Sequence, residues 1–395
     1  MHHNDHRADE GRPLSDEPGF ITTDACEKLA AKLSSRIHYR DEMLHAVRGR
    51  AYVVFYGCGR VFESVVESWM QYVGRPIDFC CDSNPAKWGK VFCGARCLSP
   101  QELLEIKDTC VVFVTVGHFR PVLEQLISSG FRAVHIVYRY DLVSSDFLDH
   151  QDVATVADNL SRARKLLGDE KSVRVFDAIV ERVLGGGRDW QLMLDICEGD
   201  QYFPSDIVHL TAHEQFVDIG AFDGDTVADF VRRTEGLFER IDAFELDRIN
   251  FGSLRDNIAH LPNSDHIRAF NLGIWDTERD VNYSVGKSQS TVGSGQATGH
   301  VVPLDAILER DRISFVKMDI EGAEPNALRG GQHIIATQKP ALAVCVYHHF
   351  KHLWEIPLLI NELVPEHAIF LRHHSPLEYE TVCYAIPPEK APRSA

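Results

Sequence analysis

The sequence predicts an α/β protein made of two Rossmann-like, doubly wound domains joined by a helical connector. Two series of short apolar runs alternate with amphipathic segments, the pattern of parallel βαβ units. They are separated by a stretch in which only helical periodicity survives. At 395 residues the chain is also long for one domain and suits two.

Residues 1–48 read as a polar tail followed by a leading helix over 24–47. Residues 49–145 carry the first series: "AYVVFYG", "PIDFCCD", "CVVFVTVG" and "AVHIVY" as strands, with "VFESVVESWMQYVG" and "FRPVLEQLISSG" among the helices. In 146–205 the segments "ATVADNLSRARKLLG" and "SVRVFDAIVERVLGG" read as the connector, which ends in "QYFPSDIVHL". The larger domain, 206–390, opens with "FVDIG" and continues through "IDAFELD", "IRAFNLGIW", "ISFVKMDIEG", "ALAVCVYHH", "HAIFLRHHS" and "ETVCYAIP". Only "SPLEY" joins its last two strands, too short for a helical crossover, so they are expected to pair antiparallel.

With 41 basic against 58 acidic side chains, the net charge of −17 repels a phosphate backbone, so no nucleic-acid partner is expected. The first residues lack the basic-then-apolar signature of a secretory signal. No run approaches the ~20 apolar residues that span a bilayer. A cytoplasmic protein with no membrane partner is the expectation. Several of the ten cysteines sit in apolar strands, where a reduced thiol packs as a small hydrophobe. Cys93 and Cys97, with Cys80 and Cys81 upstream, lack a Cys-x-x-Cys pair, so no zinc site is expected.

The stretch "FVDIGAFDGDT", residues 216–226, ends a buried strand in a loop with two glycines and three aspartates including the strand's own Asp218. Ligands of open parallel sheets sit beyond such strand ends. Gly220 and Gly224 let the backbone approach a ligand, and Thr226 is placed to cap the next helix. A phosphate loop avoids anions, whereas this one carries Asp218, Asp223 and Asp225. Acids beside backbone donors suit a cationic ligand with hydroxyls, such as S-adenosylmethionine. Glu245, at the end of the next strand, is placed to accept both hydroxyls of a ribose. Asn271 and Trp275, on the third strand, fall near an adenine pocket.

The combination "FVDIGAFDGDT", "IDAFELD", "VVPLDAIL" and "FVKMDIEGAEPNALRGG" resembles the FkbM-type family of S-adenosylmethionine-dependent methyltransferases. The likeness covers about residues 200–387. It implies a seven-stranded methyltransferase sheet, bound S-adenosylmethionine and a small-molecule or glycan acceptor methylated on oxygen. Carried over by position, it implies cofactor contacts from Asp218, Gly220, Asp223, Gly224 and Glu245, with Asp319 and Glu321 facing the acceptor.

Removing a hydroxyl proton during in-line methyl transfer calls for a base or a metal. Asp319 and Glu321, His348 and His349, and Arg372, His373 and His374 lie at three successive strand ends. We expect His348 or His349 as base, with Asp319 orienting it or the acceptor and His373 as a further candidate. A divalent ion on Asp319, Glu321 and histidine is the second choice. Glu324 reads as structural, favourable near a helix start. The loop 288–300, with Gly293 and Gly295 as hinges, reads equally as part of the acceptor pocket or a lid, or as plain surface.

The first domain also ends a strand in glycines, Gly57 and Gly59, with Asp82 one strand later. Phe62 stands where a dinucleotide loop needs its third glycine. A recognition or homo-oligomer-forming role is expected for it first, nucleotide binding second. N-methylation, or NAD-linked oxidoreduction through Gly57, Gly59 and Asp82, are the alternative activities.

Overall fold

The computed structural model describes residues 23–36, 38–117, 119–185, 191–283 and 295–392. Two helices, Thr23–Ser34 and Tyr39–Val47, replace the single leading helix. A six-stranded sheet follows: β1 Tyr52–Tyr56, β2 Phe79–Cys81, β3 Val91–Phe92, β4 Ala95–Leu98, β5 Cys110–Val114 and β6 Val134–Ile136. Its order is β3-β4-β2-β1-β5-β6, parallel apart from the short β3–β4 hairpin. Its two faces bury separate cores. Cys80 packs on the face with Phe55, Phe62 and Trp69, and Cys81 on the face with Val54 and Val112. Adjacent strand residues point to opposite faces, so these two cysteines cannot share a site. Cys93 is exposed.

The second unit holds β7 Gln215–Ile219, β8 Arg240–Phe244, β9 Ile267–Phe270, β10 Gly273–Ile274, β11 Arg279–Tyr283, β12 Ala297–Val302, β13 Phe315–Met318, β14 Ala341–Cys345, β15 Ala368–His373 and β16 Thr381–Ile386. Seven of these form one sheet in the order β15-β16-β14-β13-β7-β8-β9. The last two strands pair antiparallel, as their short connection requires, and β16 also runs antiparallel to β14. The expected third strand is broken: β9 stops at Phe270, and Gly273–Ile274 leaves to join a small β10-β12-β11 sheet. Asn271 accounts for the break, because its side-chain amide donates to the carbonyls of Glu245 and Leu246 (2.8 and 3.0 Å). Residues 288–294 of the glycine-rich loop, Gly293 included, lie outside the described residues, and its far end is part of β12.

The helical segment does more than connect. Helices Val153–Lys165 and Glu170–Leu184 bury Val156, Leu160, Val175 and Phe176 in one core with Val344, Ile369 and Leu371 of the seven-stranded sheet. Edge strand β15 is covered in turn: Gly168 N–H donates to Ile369 O (2.7 Å) and Glu198 N–H to His373 O (2.9 Å). Such covering removes a row of unpaired backbone groups from solvent. The opposite face packs Phe203, Phe216, Phe230 and Phe315. No described helix is long and apolar enough to cross a membrane.

Candidate active site

The carboxyl ends of β7, β8 and β13 open onto a cavity of about 480 Å³. One side is built by the opening glycine turn. Gly220 has φ +82°, and a Cβ there would stand 2.0 Å from the Asp319 carbonyl oxygen. Only glycine lets these two strand ends meet. Gly224, at φ +90°, is the N-cap of helix Asp225–Arg233, so Thr226, expected as the cap, lies in its first turn.

Glu245 forms the neighbouring wall. Its Oε2 accepts from Phe222 N–H (2.9 Å) and its Oε1 from Asp247 N–H (2.7 Å), which fixes the carboxylate at the cavity edge. Burial pushes its carboxyl up to about 7, against the pull of these two donors. Gly220, Phe222, Leu246, Ile274 and Trp275 complete this end.

Several expected contacts lie elsewhere. Asp218 does not line the cavity. It is fully buried beneath the turn, 2.9 Å from Lys317 Nζ, which also donates to Gly220 O (2.7 Å). Burial raises the Asp218 carboxyl to about 6 while Lys317 opposes the rise. This inward direction follows from strand alternation, and the pair braces the turn from below. Asp223, Gly224 and Asn271 are likewise absent from the lining: Asp223 O accepts from Asn257, Gly224 packs on Leu254, and Asn271 is spent on backbone carbonyls.

At the other end, Asp319 and Glu321 line the cavity. Asp319 Oδ2 accepts from Tyr202 OH (2.7 Å) and Oδ1 from Tyr347 OH (3.1 Å). Burial raises both phenols well above their usual range, which keeps them donors. Glu321 sits at φ +55°, a left-handed conformation uncommon for a non-glycine residue and typical of functional turns. Burial pushes its carboxyl up to about 7; His348 opposes, and the charges of Asp319 and Glu324 reinforce the rise.

His348, one of the two histidines expected as base, sits at the centre of a carboxylate cluster. Its Nδ1 lies 2.9 Å from Glu324, and its Nε2 lies 3.4 Å from Asp319 and 3.6 Å from Glu321. Burial alone would lower its pKa, but these carboxylates override it and raise it to about 10, so the ring is an imidazolium at neutral pH. Glu324 is correspondingly held down to about 2 despite its burial, chiefly by His348. Asp319, Glu324 and His348 also form a donor set of the kind a divalent ion uses, each with one ligand atom within 4.8 Å of the others.

The remaining histidines are turned away. His349 faces Gly322 and a separate groove beside Phe350. His373 is buried with Nδ1 2.8 Å from Thr381 Oγ1 on the neighbouring strand. His374 bridges Gly199 O and Tyr384 OH. Arg372 reaches Asp169 and Asp206 and fastens the helical segment to β15. Residues not singled out in the sequence fill the gap: Gln201, Tyr202, Tyr347, Ser375, Tyr379 and Glu380 all face the cavity. The tyrosines could have been noticed only as polar-tipped aromatics just beyond strand ends.

This geometry meets an independent finding: residues 218–375 match the family model described as the methyltransferase FkbM domain. The chain carries an FkbM methyltransferase domain. Residues 218–375 are thereby an S-adenosylmethionine-dependent methyltransferase domain. A crystal structure titled methyltransferase FkbM, from Methylobacillus flagellatus KT, superposes with a TM-score of 0.73 at 22% identity, over 92% of this chain and 97% of that one. The fold is therefore shared across both sheets. A precorrin-6y C5,15-methyltransferase from Geobacter metallireducens GS-15 gives a TM-score of only 0.30 at 10% identity, over 49% of this chain and 95% of that one. No curated protein matches the sequence. The FkbM domain's cavity fits S-adenosylmethionine chemically: a glycine cradle admits close approach at Gly220, and Glu245 presents a fixed acceptor for hydroxyls.

Proposed function

We propose that the FkbM domain methylates a hydroxyl of a sugar, glycan or glycosylated natural product. The observation that carries this reading is one continuous cavity with Glu245 at its nucleoside-binding end and Asp319 and Glu321 at the other. Gly220, Phe222, Glu245, Leu246 and Trp275 would hold S-adenosylmethionine, which when bound supplies an electrophilic methyl group on a sulfonium.

The chain's own residues then have separable tasks. Glu321 is the base: burial has raised its proton affinity, and it borders the acceptor space. Asp319, fixed by two tyrosine hydroxyls, orients the acceptor by accepting its hydrogen bonds. His348, paired with Glu324, places positive charge 3.4 Å from Asp319 and 3.6 Å from Glu321 and so offsets the crowding of carboxylates there. Gln201, Ser375, Tyr379 and Glu380 offer both donors and acceptors, as a polyhydroxylated acceptor requires. The oxidoreductase alternative loses its main support, since Asp82 is taken up by Cys58 N–H, Asn84 N–H and Lys87.

One observation favours a second reading. Three carboxylates, Asp319, Glu321 and Glu380, face the acceptor space, and such a set also attracts an amine. Both readings are tested by incubating the protein with methyl-labelled S-adenosylmethionine and a panel of glycosides, aminosugars and simple amines. Label on a glycoside oxygen, rising as pH passes about 7 and lost in Glu321→Gln, is the expected result. Label on nitrogen alone would establish the amine reading in its place.

A further inference from the structure

Away from the methyltransferase site, three thiols from separate segments meet in the six-stranded unit. Cys58 follows β1, Cys80 lies in β2 and Cys97 in β4, where Cys80 and Cys97 are direct register partners. The sulfurs of Cys58 and Cys97 stand 3.6 Å apart, and all three lie within 4.8 Å of one another. Their residues are 5%, 0% and 0% exposed. Three sulfurs bound about 2.3 Å from one ion stand about 3.8–4.0 Å apart, so little movement would bring these into a common coordination shell.

A trio of thiols in an apolar core has an ordinary explanation as packing, and each sulfur does lie within 3.5–3.7 Å of a backbone carbonyl oxygen. The other buried cysteines of the same sheet show what that looks like. Cys81 and Cys110 pack on the opposite face, outside any such group. Charged groups border the trio: Asp82 accepts from Cys58 N–H at 3.0 Å and is paired with Lys87 at 2.7 Å. Cys58 directly precedes the N-cap of the 13-residue helix Arg60–Tyr72, and Lys87 Nζ donates to Cys58 O at 3.0 Å.

We propose that Cys58, Cys80 and Cys97 bind one thiophilic d10 ion in three-coordinate, all-sulfur geometry, the class of which Cu(I) is the fitting member. No fourth histidine, cysteine or carboxylate atom joins the group among the described residues. Zinc wants four ligands, whereas soft thiolates select Cu(I). Binding replaces three S–H protons by three metal–sulfur bonds and releases those protons to solvent, with no change in oxidation state. Affinity therefore rises with pH. The helix N-terminus offsets part of the resulting negative charge, while Lys87 is already paired with the neighbouring Asp82.

The test uses the full chain, reduced and kept anaerobic, titrated with Cu(I) supplied as its bicinchoninate complex. Withdrawal of one equivalent from the chelator is expected, more tightly at higher pH, with sulfur alone around copper by X-ray absorption. Cys58→Ser and Cys97→Ser should each weaken binding about a hundredfold or more, while Cys93→Ser leaves it unchanged. S-adenosylhomocysteine binding reports whether each variant is folded; if the serine variants unfold, the wild-type absorption spectrum decides alone. Failure of the wild type to take copper, nitrogen or oxygen in its shell, survival of binding in folded Cys58→Ser, or equally tight four-coordinate zinc would overturn the proposal.

Discussion

The two units repeat one local plan and put it to different use. Each ends a parallel strand in a glycine turn, Gly57 or Gly220, and places an acid after the next strand, Asp82 or Glu245. In the first, Lys87 Nζ lies 2.7 Å from Asp82, and two backbone N–H groups take the rest of that carboxylate. In the second, the lysine goes underneath: Lys317 pairs with Asp218, and Glu245 keeps an open side toward a cavity. A glycine turn and an acid thus do not by themselves make a nucleoside site. What matters is whether the acid meets its own cation.

The comparison is broken most sharply by removing the two lysines. Lys317→Met leaves Asp218 buried and unpaired, and we expect a loss of about 3–5 kcal/mol in denaturant unfolding. Lys87→Met, at a pair with water access, should cost under about 1 kcal/mol. Equal losses would show that the two lysines do the same job.

Next in size is the effect on cofactor affinity. Calorimetric titration with S-adenosylhomocysteine should show Glu245→Ala weakened by about 10- to 100-fold, the worth of a hydrogen-bonded charged acceptor. Asp82→Ala should bind within about twofold of wild type. A reversed ranking would move the nucleoside site to the first unit.

A smaller difference appears on titration. His348 has its pKa raised to about 10, so its stabilising contribution is complete below its unfolded value near 6.5 and fades as pH rises toward 10. Glu324, lowered to about 2, contributes above its unfolded value near 4.5 and loses that contribution as pH falls toward 2. Melting temperature should therefore decline between about pH 7 and 10 in wild type and lose that slope in His348→Gln. The Asp82–Lys87 pair has no titration in that window, since Asp82 is lowered and Lys87 raised. The smallest effect is expected at Gly59, where an added Cβ meets nothing within 4 Å. Gly59→Ala should change stability by under about 1 kcal/mol.

Much of this was legible in the sequence because it is periodic or punctuated. Apolar runs located the strands of both sheets, and the glycine turn led to Gly220, Glu245, Trp275, Asp319 and Glu321 on the cavity wall. The histidines were harder. His348 and His349 lie beyond the end of β14, where alternation no longer says which way a side chain points, and the pairing of His348 depends on Glu324, from the segment after β13. His373 lies within a strand, but its burial depends on the helical segment that covers that edge. Tyr202 was hidden for a related reason. It reads as the end of a connector, and only the fold brings it 2.7 Å from Asp319, 117 residues later.

The turn between β15 and β16 belongs to both halves of the molecule. Leu377 packs into a core of the six-stranded unit, and Glu378 is buried 3.7 Å from Arg182, which itself bonds Asp141 at 2.9 Å. The next two residues, Tyr379 and Glu380, line the cavity. A wall of the catalytic chamber therefore has its foundations in the neighbouring unit. Recombination that exchanged the front half for an unrelated one would sever that footing, so the two halves are expected to be inherited and to diversify as a single cassette.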